Sequence, residues 1–346
     1  RDVSAHVVFI YVIYLLEKIN KICWIPEDYV ETKHFFTGSW DDDSNSIRVW
    51  ALENVNEDED TEYPRQLSEY KVEGDVTELK LVDKTTVAAS LSCGDVRLLQ
   101  ISAYDRQIPL KDVYAWENLH NINTEKCPCT SLDTFEGEIV TVGEEGNICL
   151  LSSRSGDVVR KITDTDGCSL HAVCFIKLNE VITGDIRGHM KIWDTRSESN
   201  KSMASFVLAD EEIAVTCIVR HTTQPHIILA GSELGSLAIW DLRMNQFPSS
   251  IVNAHSAGVT EMQFHPENPN KLLTTSLSGD LWDWDMQSLT KRSPENYVPL
   301  EEKGSMNVTS IISGLHKAIN TLHCDKGRIV CGADNEAVYL IKNLKY

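Results

Sequence analysis

The chain has 346 residues, enough for two average domains or for one large closed β-architecture. Hydrophobic residues make up 42% and charged residues 24%, a globular balance that excludes a globally disordered chain. Its 52 Asp and Glu against 32 Lys and Arg leave a net charge of −20, which argues against direct nucleic-acid binding and fits protein partners of basic or mixed charge.

The first predicted element covers about residues 6–17, where Val7–Leu16 is wholly apolar. A membrane span needs about twenty apolar residues, so this run is too short. No small-residue cleavage site follows it, so it does not read as a signal peptide, although the chain opens without Met. Its Val, Ile, Tyr and Phe content predicts a buried strand.

From residue 19 onward the chain repeats itself. Blade one reads "INKICWI", "FFTGS" and "NSIRVW", ending on Trp50, and blade two reads "VTELKLV", "VAAS" and "GDVRLL", ending on Leu99. Blade three follows as "CTSLDTF", "VTVG" and "GNICLL" to Leu151, and blade four as "HAVCFIK", "VITG" and "GHMKIW" to Trp193. Blade five is "AVTCIVR", "ILAGS" and "GSLAIW" to Trp240, blade six "VTEMQFH", "LLTTS" and "GDLWDW" to Trp284, and blade seven "INTLHCD", "IVCG" and "EAVYLI" to Ile341. Successive anchors lie 49, 52, 42, 47, 44 and 57 residues apart. A fourth segment follows most anchors, as in "DVVRKIT" and "MASFVLA".

Each unit is thus four short strands punctuated by turn residues, and a period in the forties to fifties is that of a β-propeller. One four-stranded sheet cannot cover both of its faces, whereas radial stacking of sheets can, which accounts for the continuous apolar strands. Seven blades in one closed ring use all 346 residues as a single domain. The last copy ends too soon for its own fourth strand, so the segment at about 6–17 is predicted to supply it and close the ring. The longest connection between blades is predicted at 286–318.

The ten cysteines contain no CxxC pair and sit mostly in strand-like runs, which suits small buried hydrophobes in a reducing compartment. Cys127 and Cys129 lack the further Cys or His that a zinc site needs. No cofactor is implied. Asp283 and Asp285 alternate on one strand as an acid/base pair would, but they flank Trp284 within the repeat, and no nucleophile, metal or phosphate-loop motif appears. His171, His189, His255 and His265 are dispersed at strand ends and turns. An enzyme is therefore not expected, nor a small-molecule substrate.

The endings "IWDTR", "IWDLR" and "DWD", with Asp194, Asp241 and Asp285 after the tryptophans, resemble WD repeats of a seven-bladed all-β propeller. The Asp that commonly fixes the turn in that family is replaced by Cys93, Glu145, Arg187, Leu234, Ser278 and Asn335. Only Ala254-His255 keeps the usual Gly-His pair, so the blades are expected to be held mainly by apolar packing. "FFTGSWDDDSNSIRVW", "LHAVCFIKLNEVIT", "AHSAGVTEMQFHPENPNKLLTTSLSGDLWDWD" and "IVCGADNEAVYLIKNL" further resemble the WD-repeat nucleoporins of the Y-shaped scaffold complex, from about residue 19 to 346. That resemblance implies a structural role at the nuclear pore in the nuclear envelope. It also implies contact with a helical-solenoid nucleoporin of the short arm, support for protein and mRNA transport, and a kinetochore role in mitosis.

Two features are candidate partner contacts. Asp41, Asp42 and Asp43 lie in "SWDDDSNS", followed by the acidic run 53–64; they read as a landing patch for a basic surface or as solvated loops, the second being usual for a charge run. Arg196 and Arg243 end Trp-Asp-x-Arg tetrapeptides. These resemble the motif by which some WD proteins dock onto cullin ubiquitin ligases as substrate receptors, the alternative function; otherwise each Arg pairs with a nearby acid.

Overall fold

The computed structural model describes residues 8–28, 31–54, 62–101, 109–163, 167–208, 212–244, 250–287 and 307–342. Strand β1 (Phe9–Tyr14) comes first, and β2 (Ile19–Ile25), β3 (His34–Ser39), β4 (Ser46–Asn54) and β5 (Glu62–Lys71) form blade one. Blade two is β6 (Val76–Leu81), β7 (Thr86–Leu91), β8 (Val96–Ile101) and β9 (Leu110–Trp116). A small hairpin, β10 (Asn121–Ile122) and β11 (Glu125–Lys126), leads to blade three: β12 (Cys129–Phe135), β13 (Glu138–Gly143), β14 (Ile148–Ser152) and β15 (Val158–Ile162). Blade four comprises β16 (Leu170–Lys177), β17 (Glu180–Asp185), β18 (His189–Asp194) and β19 (Ala204–Val207). Blade five comprises β20 (Val215–Arg220), β21 (Ile227–Ser232), β22 (Ser236–Asp241) and β23 (Ser250–Asn253). Blade six is β24 (Val259–Phe264), β25 (Lys271–Ser276), β26 (Leu281–Asp285) and β27 (Val308–Ile312). Blade seven is β28 (Ile319–Asp325), β29 (Arg328–Ala333) and β30 (Ala337–Lys342), with β1 as its fourth strand.

Each innermost strand touches that of the next blade, and β28 returns to β2, so the seven sheets form a closed propeller. Strand β1 pairs antiparallel with β30, from Phe9 opposite Lys342 to Tyr14 opposite Ala337. Its Tyr11 and Ile13 pack on a core that includes Trp24, Phe35 and Trp50. Phe9, Ile10, Val12 and Tyr14 are exposed, because an outermost strand is covered on one face alone, so β1 is not the buried strand that its composition predicts. Of the segment predicted at 6–17, residues 6 and 7 lie outside the described residues. No helix among the described residues is long and apolar enough to cross a membrane.

The stretch 286–318 is not the single inter-blade loop that the sequence suggests. It contains β27, which is exposed apart from its last residues and shows no apolar alternation, so it resembled a loop. Residues 288–306 of that stretch lie outside the described residues.

Two repeated devices join the blades. All seven innermost strands carry a β-bulge at their second residue: Asn20, Thr77, Thr130, His171, Thr216, Thr260 and Asn320. A bulge frees one residue from the ladder and turns it outward. Five of these side chains then donate to the carbonyl of the first residue of the next innermost strand: Asn20 to Val76, Thr77 to Cys129, Thr130 to Leu170, Thr260 to Ile319, and Asn320 to Ile19 across the closure. The second device explains the small residues that end the second strands. A Cβ on Gly38 would come within 2.5 Å of Val76, and one on Gly184 within 2.5 Å of Val215, so the missing side chain lets neighbouring blades close on each other.

Candidate functional site

The anchors come first, because they decide whether the Trp-Asp positions are free to bind. Trp50, Leu99, Leu151, Trp193, Trp240, Trp284 and Ile341 are all buried. Trp50, Trp193 and Trp284 each donate an indole N–H to a threonine on the neighbouring strand, Thr37, Thr183 and Thr274, at 2.9 Å. Blade five has Ala230 at the equivalent place, and Trp240 Nε1 finds no hydrogen-bond partner among the described residues.

The blades are expected to be held mainly by apolar packing with the polar network lost, yet a polar network persists in blades three and six. His255 Nε2 lies 2.8 Å from Thr274 Oγ1, extending the Trp284 pair into a triad. Blade three builds its own version: His120 Nε2 sits 2.8 Å from Thr141 Oγ1, and its Nδ1 2.6 Å from Glu145. The sequence hid His120 because the β10–β11 hairpin separates it from the strand it serves. Turn fixing is also retained, two positions before the places where it looked lost. Asp185 accepts the N–H groups of Arg187 and His189, while Ser39 and Ser232 accept those of Ser46 and Ser236.

The partner-contact candidates lie on different parts of the ring. Asp41, Asp42 and Asp43 are exposed on the turn between β3 and β4. Asp41 accepts a bond from Lys18 and donates its own N–H to Asp75 at 2.8 Å, so this turn is held rather than loose. The acidic run 53–64 is described only at residues 53, 54 and 62–64. Residues 55–61 lie outside the described residues, and Glu62 is buried, receiving Arg328 and Lys342. Arg196 and Arg243 sit on the turns between the third and fourth strands of blades four and five. Each forms an ion pair with the acid two residues before it, Asp194 at 3.2 Å and Asp241 at 2.5 Å. Asp285 accepts the Gln287 N–H at 3.0 Å, and Asp283 pairs with Lys271 at 3.3 Å.

The central channel holds a charge cluster that sequence reading missed. A cavity of about 300 Å³ is lined by the innermost strands of all seven blades. In it Lys21 Nζ lies 3.2 Å from Glu78 and 3.7 Å from Glu261, and Lys80 Nζ lies 3.3 Å from Glu261 and 3.7 Å from Glu78. Two cations thus pair with two anions from blades one, two and six, and Asp133 of blade three lines the same cavity and acts on Lys80. Burial opposes every charge here, but the opposite charges prevail: Glu261 is held below the usual carboxylate range, and both ammonium groups are raised. Burial lowers His323 to about 4 and raises the Cys23 and Cys217 thiols to about 12. At neutral pH the channel therefore presents paired ions, a neutral imidazole and un-ionised thiols, which is the chemistry of a structural plug. Among the described residues no group of three or more Cys, His, Asp or Glu is placed to hold a metal; Cys127 and Cys129 are buried free thiols.

No family model matches the chain. Individual proteins do match it. It is 30% identical to human nucleoporin Nup43, over 97% of the chain and 99% of that protein. It is 29% identical to mouse nucleoporin Nup43 over the same shares. The nuclear pore complex protein NUP43 of Arabidopsis thaliana is 25% identical over 79% of the chain and 76% of that protein.

Proposed function

Since the chain belongs to the Nup43 family of WD-repeat nucleoporins, we propose that it is a non-enzymatic scaffold subunit of the nuclear pore. The observation that carries this reading is the end-to-end match, 97% of this chain against 99% of the human protein, which covers the whole ring rather than a generic run of WD repeats. Its partners are other nucleoporins. The resemblance points further to the Y-shaped outer-ring complex, to a helical-solenoid subunit of its short arm, and to support of protein and mRNA transport. A mitotic pool at kinetochores belongs to the same reading.

A rigid closed ring suits such work, because loops on a fixed frame hold their contacts in register. The ion-paired channel and un-ionised thiols support a structural rather than catalytic role. A fluorescently tagged chain should mark the nuclear rim in interphase and co-purify with Y-complex nucleoporins. Diffuse signal without nucleoporins among the co-purifying proteins would reject the proposal. Kinetochore signal in mitotic cells tests the mitotic part separately, and nuclear retention of mRNA on depletion tests transport.

A further inference from the structure

One end of the ring is built from the turns between second and third strands, and all seven are fixed by the same bond. The first turn residue donates its N–H to the loop leading into its own blade's innermost strand: Trp40 to Lys18, Ser92 to Asp75, Glu144 to Pro128, Ile186 to Ser169, Glu233 to Ala214, Leu277 to Gly258, and Asp334 to Ala318, at 2.9–3.3 Å. The turns are held tightly. Gly235 has φ +85°, and a Cβ there would come within 2.3 Å of the His255 carbonyl. Side chains displayed on these turns therefore stand at fixed places on one surface.

What the turns display differs between the two sides, with Glu233 on blade five and Leu16 in the loop into blade one as exposed exceptions. Blades four, five and six show Ile186, Leu234 and Leu277, with 42%, 62% and 55% of each residue exposed. Single exposed aliphatics are ordinary, but here three consecutive blades put one on the corresponding turn. Blades seven, one and three show Glu336, Asp41, Asp42, Asp43 and Glu144 instead, all exposed. Arg187 and Lys317 are exposed cations on the aliphatic side, while on the other side Lys18 pairs with Asp41 and Lys126 with Glu73, and the acids there remain in excess.

We propose that this end of the ring docks a segment of another protein that carries aliphatic side chains along one side and Lys or Arg along the other. The proposal rests on the scaffold reading and adds the chemistry of the partner. Charge selects the occupant: a second copy would bring the same acids and a net charge of −20, whereas a basic segment gains attraction and orientation from the acidic side. Burial of the three aliphatic side chains then holds the complex.

The test uses the tagged full chain expressed in cells, with co-purified nucleoporins identified and quantified by mass spectrometry. Changing Ile186, Leu234 and Leu277 together to Ser should lower nucleoporin recovery at least tenfold. Changing Asp41, Asp42 and Asp43 to Asn should lower it several-fold at low salt and weaken its salt dependence. Arg196→Ala with Arg243→Ala, on the opposite end, should leave recovery unchanged. Thermal melting checks that each variant folds, and Leu234→Ser alone replaces the triple variant if that one melts early. Wild-type recovery by the aliphatic variant overturns the docking surface and leaves the scaffold reading intact. Absence of nucleoporins from the wild-type sample overturns both. A wild-type dimer in sedimentation velocity that the aliphatic variant abolishes assigns the face to self-association and also overturns the proposal.

Discussion

Replacing Glu261 with Gln removes one of two anions that balance two ammonium groups in the channel. The carboxylate lies 3.3 Å from Lys80 Nζ and 3.7 Å from Lys21 Nζ, and accepts the Leu322 N–H at 3.2 Å. At an effective dielectric constant near 20, unit charges at such distances attract by about 4–5 kcal/mol. Most of that offsets desolvation, and Lys80, with 36% of its side chain exposed, is partly screened. The cost of the substitution comes from leaving two lysines with Glu78 as their one ion-paired carboxylate, Asp133 acting on Lys80 from further off. One-sided loss of a buried pair costs about 3–5 kcal/mol, and screening places this case near 3 kcal/mol. For a chain of 346 residues that lowers the melting temperature by about 4 °C. Calorimetry at pH 7 measures it, and a double-mutant cycle with Lys21→Met isolates the pair. The double variant restores one cation to one anion and should recover at least about 1 kcal/mol relative to additivity. A Glu261→Gln melt within about 1 °C of wild type, or strict additivity with Lys21→Met, would refute the reasoning.

Three further outcomes follow from the same geometry. Ala230→Thr gives Trp240 the acceptor that Trp50, Trp193 and Trp284 already have, and should stabilise the protein by about 1 kcal/mol in denaturant titration. Destabilisation instead would mean that the site has no room for the hydroxyl and methyl groups. Asn320→Ala removes the bond to the Ile19 carbonyl at the ring closure and one to Asp334, and should cost about 1–3 kcal/mol, with amide exchange accelerating first in β2 and β28. Acidification should weaken the fold in two stages. His255 and His323 bind protons in the unfolded chain near pH 6.5 but in the folded chain only near 4, so stability declines as pH falls from about 6.5 to 4. Glu261, held at about 2 in the folded state, adds a loss that begins as pH falls through the ordinary glutamate value near 4.5 and continues down to about 2. A denaturation midpoint that stays flat from pH 7 to pH 4.5 would contradict the histidine part.

The repeat was legible because propeller strands are short, apolar and evenly punctuated, and because Trp193, Trp240 and Trp284 mark corresponding places. The bulge position was also written in the chain, as the second letter of "INK", "VTE", "CTS" and "INT". Its meaning was not, since a polar residue beside an apolar one gives no sign of a carbonyl on the next blade. The charge cluster was hidden more deeply. Glu78 and Lys80 share β6, but Glu261 of blade six reaches them and Lys21 only once the ring has closed, and each alone looks like a solvated strand residue. Outer strands were the weakest signal. Val308–Ile312 buries little apart from its last residue, so no alternation set it apart from a loop. In blades four and five the turn acceptors, Asp185 and Ser232, stand two positions before the places where an acid was sought, because the family pattern was carried over by position rather than by the hydrogen bond it serves.

The most direct test of the scaffold account is affinity purification of the tagged full chain from interphase cells, with every co-purifying protein quantified. The account predicts nucleoporins of the Y-shaped complex as the principal partners, in near-equal proportion to the tagged chain. Recovery of a cullin-ligase adaptor, lost on changing Arg196 and Arg243 to Ala and unaccompanied by nucleoporins, would contradict it.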